Sequence, residues 1–300
     1  MTEVIRLASF LARGDVRPRL GAAVKGGLLD LTAAHGPSWD MRAVLALPEA
    51  ELRAFVARGR VVVPAAEAHL LPPVPDPGKI FCVGKNSRVH REELVAHGML
   101  KEDPQEPTGF VKLNEVLVGD GARVVRPEGI TTFDYKPEMA FVVARPCHRV
   151  GREAALSVLG GITVLNDLTA REIQKQEVAS GTRFWTSKNM PGFCPVGPHV
   201  VPLFEVADPY DLWLTCEVNG ERRLRVSTSE HIFTIADIIA HFSRHMPFMP
   251  GDIIATGAPR GTAISQPNAA ELYLKPGDVC VAGIEGLMSL TTRIVAPGEA

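Results

Sequence analysis

The sequence predicts a mostly β protein with some helix: a small α+β unit, a stiff connector and a larger β-rich domain. Three observations point there. Glycine (27) and proline (24) are plentiful, whereas stretches of helical periodicity are few, a balance that suits turn-rich β structure. The apolar runs are short and lack regular crossover helices between them, which argues against a doubly wound sheet. Pro72, Pro73, Pro75 and Pro77 crowd the stretch "LLPPVPDPGK", which can be neither helix nor central strand and reads as an extended spacer. The chain therefore divides into an N-terminal unit (1–71), a connector (72–78) and a main domain (79–300).

In chain order, "IRLASFLARG" and "RPRLGAAVKGGLLDL" read as short strands, with Lys25-Gly26-Gly27 as a turn. "PEAELRAFVARG" reads as a short helix, with Pro48 at its start, Leu52, Phe55 and Val56 on one face and Gly59 at its end. After the connector, "KIFCVG" is a buried strand and "SRVHREELVAHGML" is helix-like, with Ser87 as a possible N-cap. "KEDPQEPTG" is a polar, proline-bearing loop; "GFVKLNEVLVGDG" and "ARVVRPEG" are strand pieces joined at Gly119-Asp120-Gly121. "FDYKPEMAFVV" begins with Asp134, Lys136 and Glu138 and continues as an apolar strand; on an extended chain the three charges alternate onto one face. A short helix follows, then a strand over 161–165 that ends in polar residues. "ADPYDLWLTCEVNGERRLRVS" is a hairpin turning at Asn219-Gly220, and "FTIADIIAHFSRH" is an amphipathic helix capped by Thr234. Two Pro-Gly-Asp turns lead into the last strands.

Charge and composition narrow the function classes. The 32 basic and 34 acidic residues give a net charge of −2, so there is no basic surplus of the kind that binds nucleic acid. No run of ~18 apolar residues marks a membrane span, and the first residues do not resemble a secretion signal. The five cysteines (Cys82, Cys147, Cys194, Cys216 and Cys280) are scattered without CxxC spacing, which reads as reduced thiols in a cytoplasmic protein. "GAPRGT" lacks the Lys-Ser/Thr of a phosphate loop and the third glycine of a dinucleotide loop. His241 and His245 have zinc-helix spacing but no glutamate at the general-base position, so they read as ordinary surface or core histidines.

Three places could carry chemistry. Glu138 opens a strand, and Asp167 directly follows the apolar strand "GITVLN". Carboxylates at strand ends facing one cavity are how hard cations are held, although by spacing alone an Asp that caps the next helix is the simpler account of Asp167. His90 and Glu93 lie three apart, so on a helix they share a face. A carboxylate beside an imidazole fixes its tautomer and raises its basicity.

Taken in order, these segments resemble the fumarylacetoacetate hydrolase-like family over residues 79–295. "KIFCVGKNSRVHREE" resembles its strand followed by N-x-x-x-H-x-x-E, and "EPTGFVKLNEVLVG" its P-x-x-F-x-K strand. "DYKPEMAFVV" resembles D-Y-E-x-E-L-A-x-V-I, and "GITVLNDLTAREIQ" resembles T-x-x-N-D-x-S-A-R-D-x-Q. "WTSKNMPGFCPVGP" and "PGDIIATGAPRG" resemble the family's G-K-x-F-D-x-F-x-P-x-G-P and P-G-D-x-I-x-T-G-T-P-x-G. The resemblance implies a mixed β-sandwich roll, usually a homodimer, behind a small N-terminal domain. It implies a hydrolase or lyase acting on a small 2-oxo or 2,4-dioxo carboxylate, or a hydratase or dehydratase of 2-oxo acids. A divalent cation, Mg²⁺ or Mn²⁺, would stabilise the enolate. His90 would be the base and Glu93 its orienting partner, with Lys188 stabilising negative charge. Lys112, Gln174, Thr256 and Gly257 would line the substrate pocket, and residues 92–107 would form a lid. Glu138 and Asp167 would be two of the metal ligands.

The third ligand position is held by Lys136. An anion that helps to hold a dication has become a cation, and at ~4 Å a unit charge pair is worth roughly 4 kcal/mol at an effective dielectric of about 20. Three readings follow. Lys136 swings away and Glu138, Asp167 and Asp134 hold the metal weakly; Lys136 replaces the metal; or the chain is a non-catalytic ligand-binding homologue. Ala258 in place of a threonine and Pro191 in place of an aspartate are further departures. The joint presence of His90, Glu93, Gln174 and Lys188 favours an active enzyme.

Overall fold

A computed structural model of the chain describes residues 4–88, 105–182 and 184–299. His90, Glu93, most of their helix-like stretch and most of the expected lid lie outside the described residues.

The N-terminal strands form an antiparallel meander. β1 (Leu7–Ala12), β2 (Arg19–Val24) and β3 (Gly27–Asp30) pair in turn, with Gly26 at φ 86° in the turn between β2 and β3. Three short helices follow: α1 (Leu31–His35), α2 (Met41–Leu45) and α3 (Glu49–Ala57). Asp30 and Asp40 cap the first two by accepting from the backbone N–H three residues on, each such cap contributing about 1 kcal/mol. α3 buries Leu52 and Phe55, as its spacing predicts. β4 (Val62–Pro64) and β5 (Ala68–Leu70) complete this part.

The connector separates two parts of the chain but not two sheets. The main-domain strands are β6 (Ile80–Gly84), β7 (Thr108–Lys112), β8 (Leu117–Val118), β9 (Ala122–Val125), β10 (Phe133–Asp134), β11 (Pro137–Val143), β12 (Leu159–Asn166) and β13 (Thr169–Ala170). Then come helix α4 (Arg171–Ala179), β14 (Cys194–Pro202), β15 (Trp213–Val218), β16 (Glu221–Ser227), helix α5 (Ile235–Phe242), β17 (Ile253–Ala255), β18 (Val279–Ile284) and β19 (Met288–Val295). One large sheet runs β4-β3-β2-β1-β14-β12-β11-β17-β6-β7, so β1 carries the N-terminal meander onto β14. A five-stranded sheet, β16-β15-β18-β19-β9, packs against it, and β10 and β13 form a small separate pair.

The apolar run of β11 is continuous because both its faces are covered. Met139, Phe141 and Val143 point into a core shared with the five-stranded sheet and α5, through Leu214, Ile284, Leu290 and Ile238. Ala140 and Val142 point the other way, onto Leu31, Val44, Leu52 and Phe55 of the N-terminal helices. The β15–β16 hairpin turns at Asn219 (φ 54°) and Gly220 (φ 79°), the two positive φ values that a type I′ turn requires. Thr234 and Asp237 form a reciprocal capping box on α5. All five cysteines are free and buried, and among the described residues no helix is long and apolar enough to cross a membrane.

Candidate active site

The site forms where β11 and β12 begin and end. Pro137 faces Asn166 across the ladder, and Pro137 loses nothing there as a strand's first residue. Just before it, the Lys136 N–H donates to Asn166 Oδ1 (2.8 Å), and the Asp167 N–H donates to the Lys136 carbonyl (2.9 Å). These bonds hold Lys136 opposite Asp167. Glu138, two residues along, shares the Lys136 face.

Three lysine ammoniums converge on Asp167. Lys112 Nζ, from the end of β7, donates to Oδ1 (2.7 Å); Lys136 Nζ (3.0 Å) and Lys188 Nζ both donate to Oδ2. Lys136 also stands 3.5 Å from Glu138 Oε1. All five charged side chains are buried, Lys136 the least so at 7% exposure. Lys188 also donates to Thr169 Oγ1 (2.7 Å) and lies over the rings of Phe110 and Phe184.

Lys188 sits in a 3₁₀ turn, Thr186–Lys188, that Glu177 of α4 holds in place. The Glu177 carboxylate accepts from the N–H groups of Trp185, Thr186 and Ser187 and from the Ser187 hydroxyl. On the other side of the site, Glu138 Oε2 accepts the Gly257 N–H (3.0 Å). Gly257 has φ 98°, and a Cβ there would meet Val83 O at 2.9 Å, so only glycine brings this N–H to the carboxylate. Thr256 is tied to the Met139 carbonyl by both its N–H and its hydroxyl.

Electrostatics follow from burial and the excess of cations. Burial works against the Asp167 carboxylate, yet Lys112, Lys188 and Lys136 hold it well below the usual range. Burial pushes Glu138 up to about 7, against the pull of Lys136. Burial also opposes the Lys136 ammonium, but Asp167 and Glu138 outweigh it and raise its pKa. Lys188 goes the other way: burial drives its amine well below the ordinary lysine value, and Lys136 and Lys112 add to the push. Three lysines face two carboxylates, so basic groups outnumber acidic ones by one in this cluster of described residues. Such a site attracts an anion.

The family model described as the fumarylacetoacetate (FAA) hydrolase C-terminal domain matches residues 79–295. The chain belongs to the fumarylacetoacetate hydrolase family. It is 32% identical to human mitochondrial oxaloacetate tautomerase FAHD2A, over 97% of this chain and 92% of that protein. In structure it is similar to fumarylacetoacetate hydrolase from psychrophilic Exiguobacterium antarcticum, with TM-score 0.78, 29% identity, and 97% and 99% of the two chains covered. It is also similar to maleylpyruvate hydrolase from Sphingobium sp. SYK-6, with TM-score 0.75, 26% identity, and 97% and 99% covered. These family members are named for enzymatic activities: tautomerase in one case, hydrolase in the others.

Within the family frame, the structure brings together Lys112, Lys136, Glu138, Asp167 and Lys188, with Thr256 and Gly257 against Glu138. Gln174 Oε1 accepts from Arg171 Nη1 (2.8 Å). Asp134 does not join the site, contrary to the alternation read from the sequence. The chain leaves the β10–β13 pair before β11 begins, so the extended run is broken between Asp134 and Lys136. The Asp134 carboxylate is engaged by Arg171 (2.7 Å) and by the N–H groups of Ala263 and Ile264.

The remaining donors do not fit a divalent cation. Both Asp167 oxygens are engaged by ammoniums, and Lys136 pairs with both Asp167 and Glu138. Among the described residues no group of three His, Cys, Asp or Glu side chains could hold a metal ion. Among the described residues Glu138 Oε1 has no hydrogen-bond partner, but the Lys136 ammonium stands 3.5 Å from it and would repel a second cation at the same place.

Sequence reasoning missed three supporting residues. Thr169 and Glu177 position Lys188, and half-buried His231 stands 3.5 Å from the Thr256 hydroxyl, its pKa lowered to about 4 by burial. None shares a short motif with its partner. For Glu177 the only available signal is a carboxylate shortly before the polar turn "WTSK".

Proposed function

We propose that this family member is an enzyme acting on a small 2-oxo or 2,4-dioxo carboxylate, cleaving the C–C bond of an acylpyruvate. The observation that carries the reading is the buried group of three lysines, Lys112, Lys136 and Lys188, around the one carboxylate of Asp167. A 2-oxo acid brings a carboxylate and, as its bond breaks, an enolate oxygen; both are anions that ammonium donors stabilise.

In this reading water adds to the distal carbonyl, with His90 taking its proton and Glu93 orienting the imidazole. The C3–C4 bond then breaks, and its electron pair passes into the 2-oxo system as an enolate. Lys188 and Lys136 pair with the enolate oxygen and the carboxylate. A proton delivered to C3 gives pyruvate, and the acyl carbon leaves as a carboxylic acid. His90 and Glu93 enter on family resemblance, the lysines on their geometry.

A second reading is keto–enol tautomerisation of a 2-oxo diacid, favoured by the full-length likeness to relatives described as oxaloacetate tautomerases. It needs the same enolate stabilisation but no attacking water. Five free, buried thiols support a reducing compartment, and a homodimer is the assembly we propose from the family.

Loss of ultraviolet absorbance on small acylpyruvates, run beside the ketonisation of enol-oxaloacetate, tests both. Acylpyruvate cleavage that vanishes in His90→Ala supports the hydrolase. Ketonisation without cleavage supports the tautomerase, and neither activity contradicts a 2-oxo acid enzyme.

A further inference from the structure

The same buried group carries an inference that deepens the proposed function and rests on it. We propose that the Lys136 ammonium stands in for a divalent cation, bridging Asp167 and Glu138 and presenting its remaining N–H to the substrate's 2-oxo-carboxylate, so that the site works without metal.

Four observations support this. First, Lys136 Nζ lies 3.0 Å from Asp167 and 3.5 Å from Glu138, so it touches the two carboxylates that resemblance assigns to a metal. Second, the Lys136 backbone is fixed opposite Asp167, its N–H bound by Asn166 and its carbonyl by Asp167, and its ammonium is tied to the Asp167 carboxylate. Third, three basic groups already face two acidic ones in this cluster. A dication would add to that surplus, whereas a carboxylate would cancel it. Fourth, an ammonium has three N–H donors; the hydrogen bond to Asp167 takes one, and Glu138 is met only as an ion pair at 3.5 Å. Lys136 is also the least buried of the three lysines, at 7% against 1% for Lys112 and 0% for Lys188, so its third donor is the best placed to meet a ligand. Glu138 Oε1, which has no hydrogen-bond partner among the described residues, lies beside it, so ligand binding can shift the ammonium without breaking a hydrogen bond to Glu138.

The test uses binding, so it does not depend on finding the substrate. Full-length protein is stripped with EDTA, and two titrations are run on the parent, Lys136→Glu and Lys136→Met. Free Mn²⁺ is followed by its paramagnetic resonance signal, and oxalate, a planar dianion resembling an enolised 2-oxo acid, by calorimetry in EDTA. The parent is expected to leave Mn²⁺ free and to bind oxalate without metal. Lys136→Met is expected to bind oxalate roughly 10- to 100-fold more weakly, the loss of one charge-assisted hydrogen bond. Lys136→Glu is expected to gain stoichiometric Mn²⁺ binding and to bind oxalate only with Mn²⁺ present.

Mn²⁺ bound by the parent and lost in Glu138→Gln would overturn the inference. So would oxalate binding that is equal in the parent and Lys136→Met. Lys136→Met tests the ammonium even if Lys136→Glu fails to fold. Metal-free oxalate binding without turnover of any 2-oxo acid would count against the proposed function while leaving the ammonium's role intact.

Discussion

Glu138 shows how one residue's surroundings set a measurable property. Its carboxyl is buried, with the Gly257 N–H as its one hydrogen-bond donor among the described residues, and its pKa is pushed up to about 7 from the ordinary 4.5. Between those values the folded chain keeps a proton that the unfolded chain has released. Rising pH through that window therefore destabilises the native state, by up to roughly 3 kcal/mol. Asp167 is shifted the opposite way, so its contribution is lost only as pH falls below its ordinary value of 3.8, outside this window. Glu138→Gln keeps an acceptor for Gly257 and removes the titration. Its melting temperature relative to the parent should rise by several degrees between about pH 5 and pH 8. A difference that does not change with pH would contradict the environment described for Glu138. The presence of a lysine at position 136 is legible at the same scale, because a cation among expected anions needs no structure to be noticed. The isolation of Asp134 was not legible. Its spacing fits an unbroken strand, and only the separate pairing of β10 with β13 takes it to Arg171.

At the scale of elements, Lys188 depends on a turn that carries no regular ladder. Its 3₁₀ turn is fixed by Glu177, which accepts three backbone N–H groups and one hydroxyl. Glu177→Ala releases those donors to solvent and loosens the lysine. We expect kcat on a confirmed substrate to fall by about tenfold or more, as misplacement of a catalytic group by ~1 Å does, with little change in melting temperature. Glu177→Gln, which keeps acceptor oxygens, should recover part of the loss. Equal activity in the parent and Glu177→Ala would show that the turn holds its shape without the carboxylate. The hairpin at Asn219-Gly220, the α5 cap at Thr234 and the helix over 49–57 were all legible, because turn, cap and periodicity are local chemistry. Glu177 and Thr169 were not, because their link to Lys188 exists only once α4, β13 and the turn have packed together.

At the scale of the molecule, the first 71 residues are part of the large sheet. β1 pairs with β14, and Leu31, Val44, Leu52 and Phe55 cover the face of β11 that carries Ala140 and Val142. The proline connector was legible as a break in the chain, but it says nothing about which strand edge the preceding meander meets. Exposing apolar surface costs ~25 cal/mol per Å², against a net domain stability of only about 5–15 kcal/mol. A chain beginning at residue 72 should therefore be insoluble or lack a cooperative melting transition. A soluble, cooperatively folding fragment with parental activity would contradict the shared core.

If Lys136 stands in for the cation, the lysine-lined site processes 2-oxo acids without a metal. The most direct test is the decay of acylpyruvate absorbance with EDTA-stripped enzyme, measured once in EDTA and once with Mg²⁺ restored. The account predicts turnover in EDTA at the same rate as with Mg²⁺, abolished in His90→Ala and strongly reduced in Lys136→Met. Turnover that appears only when Mg²⁺ is restored would contradict it.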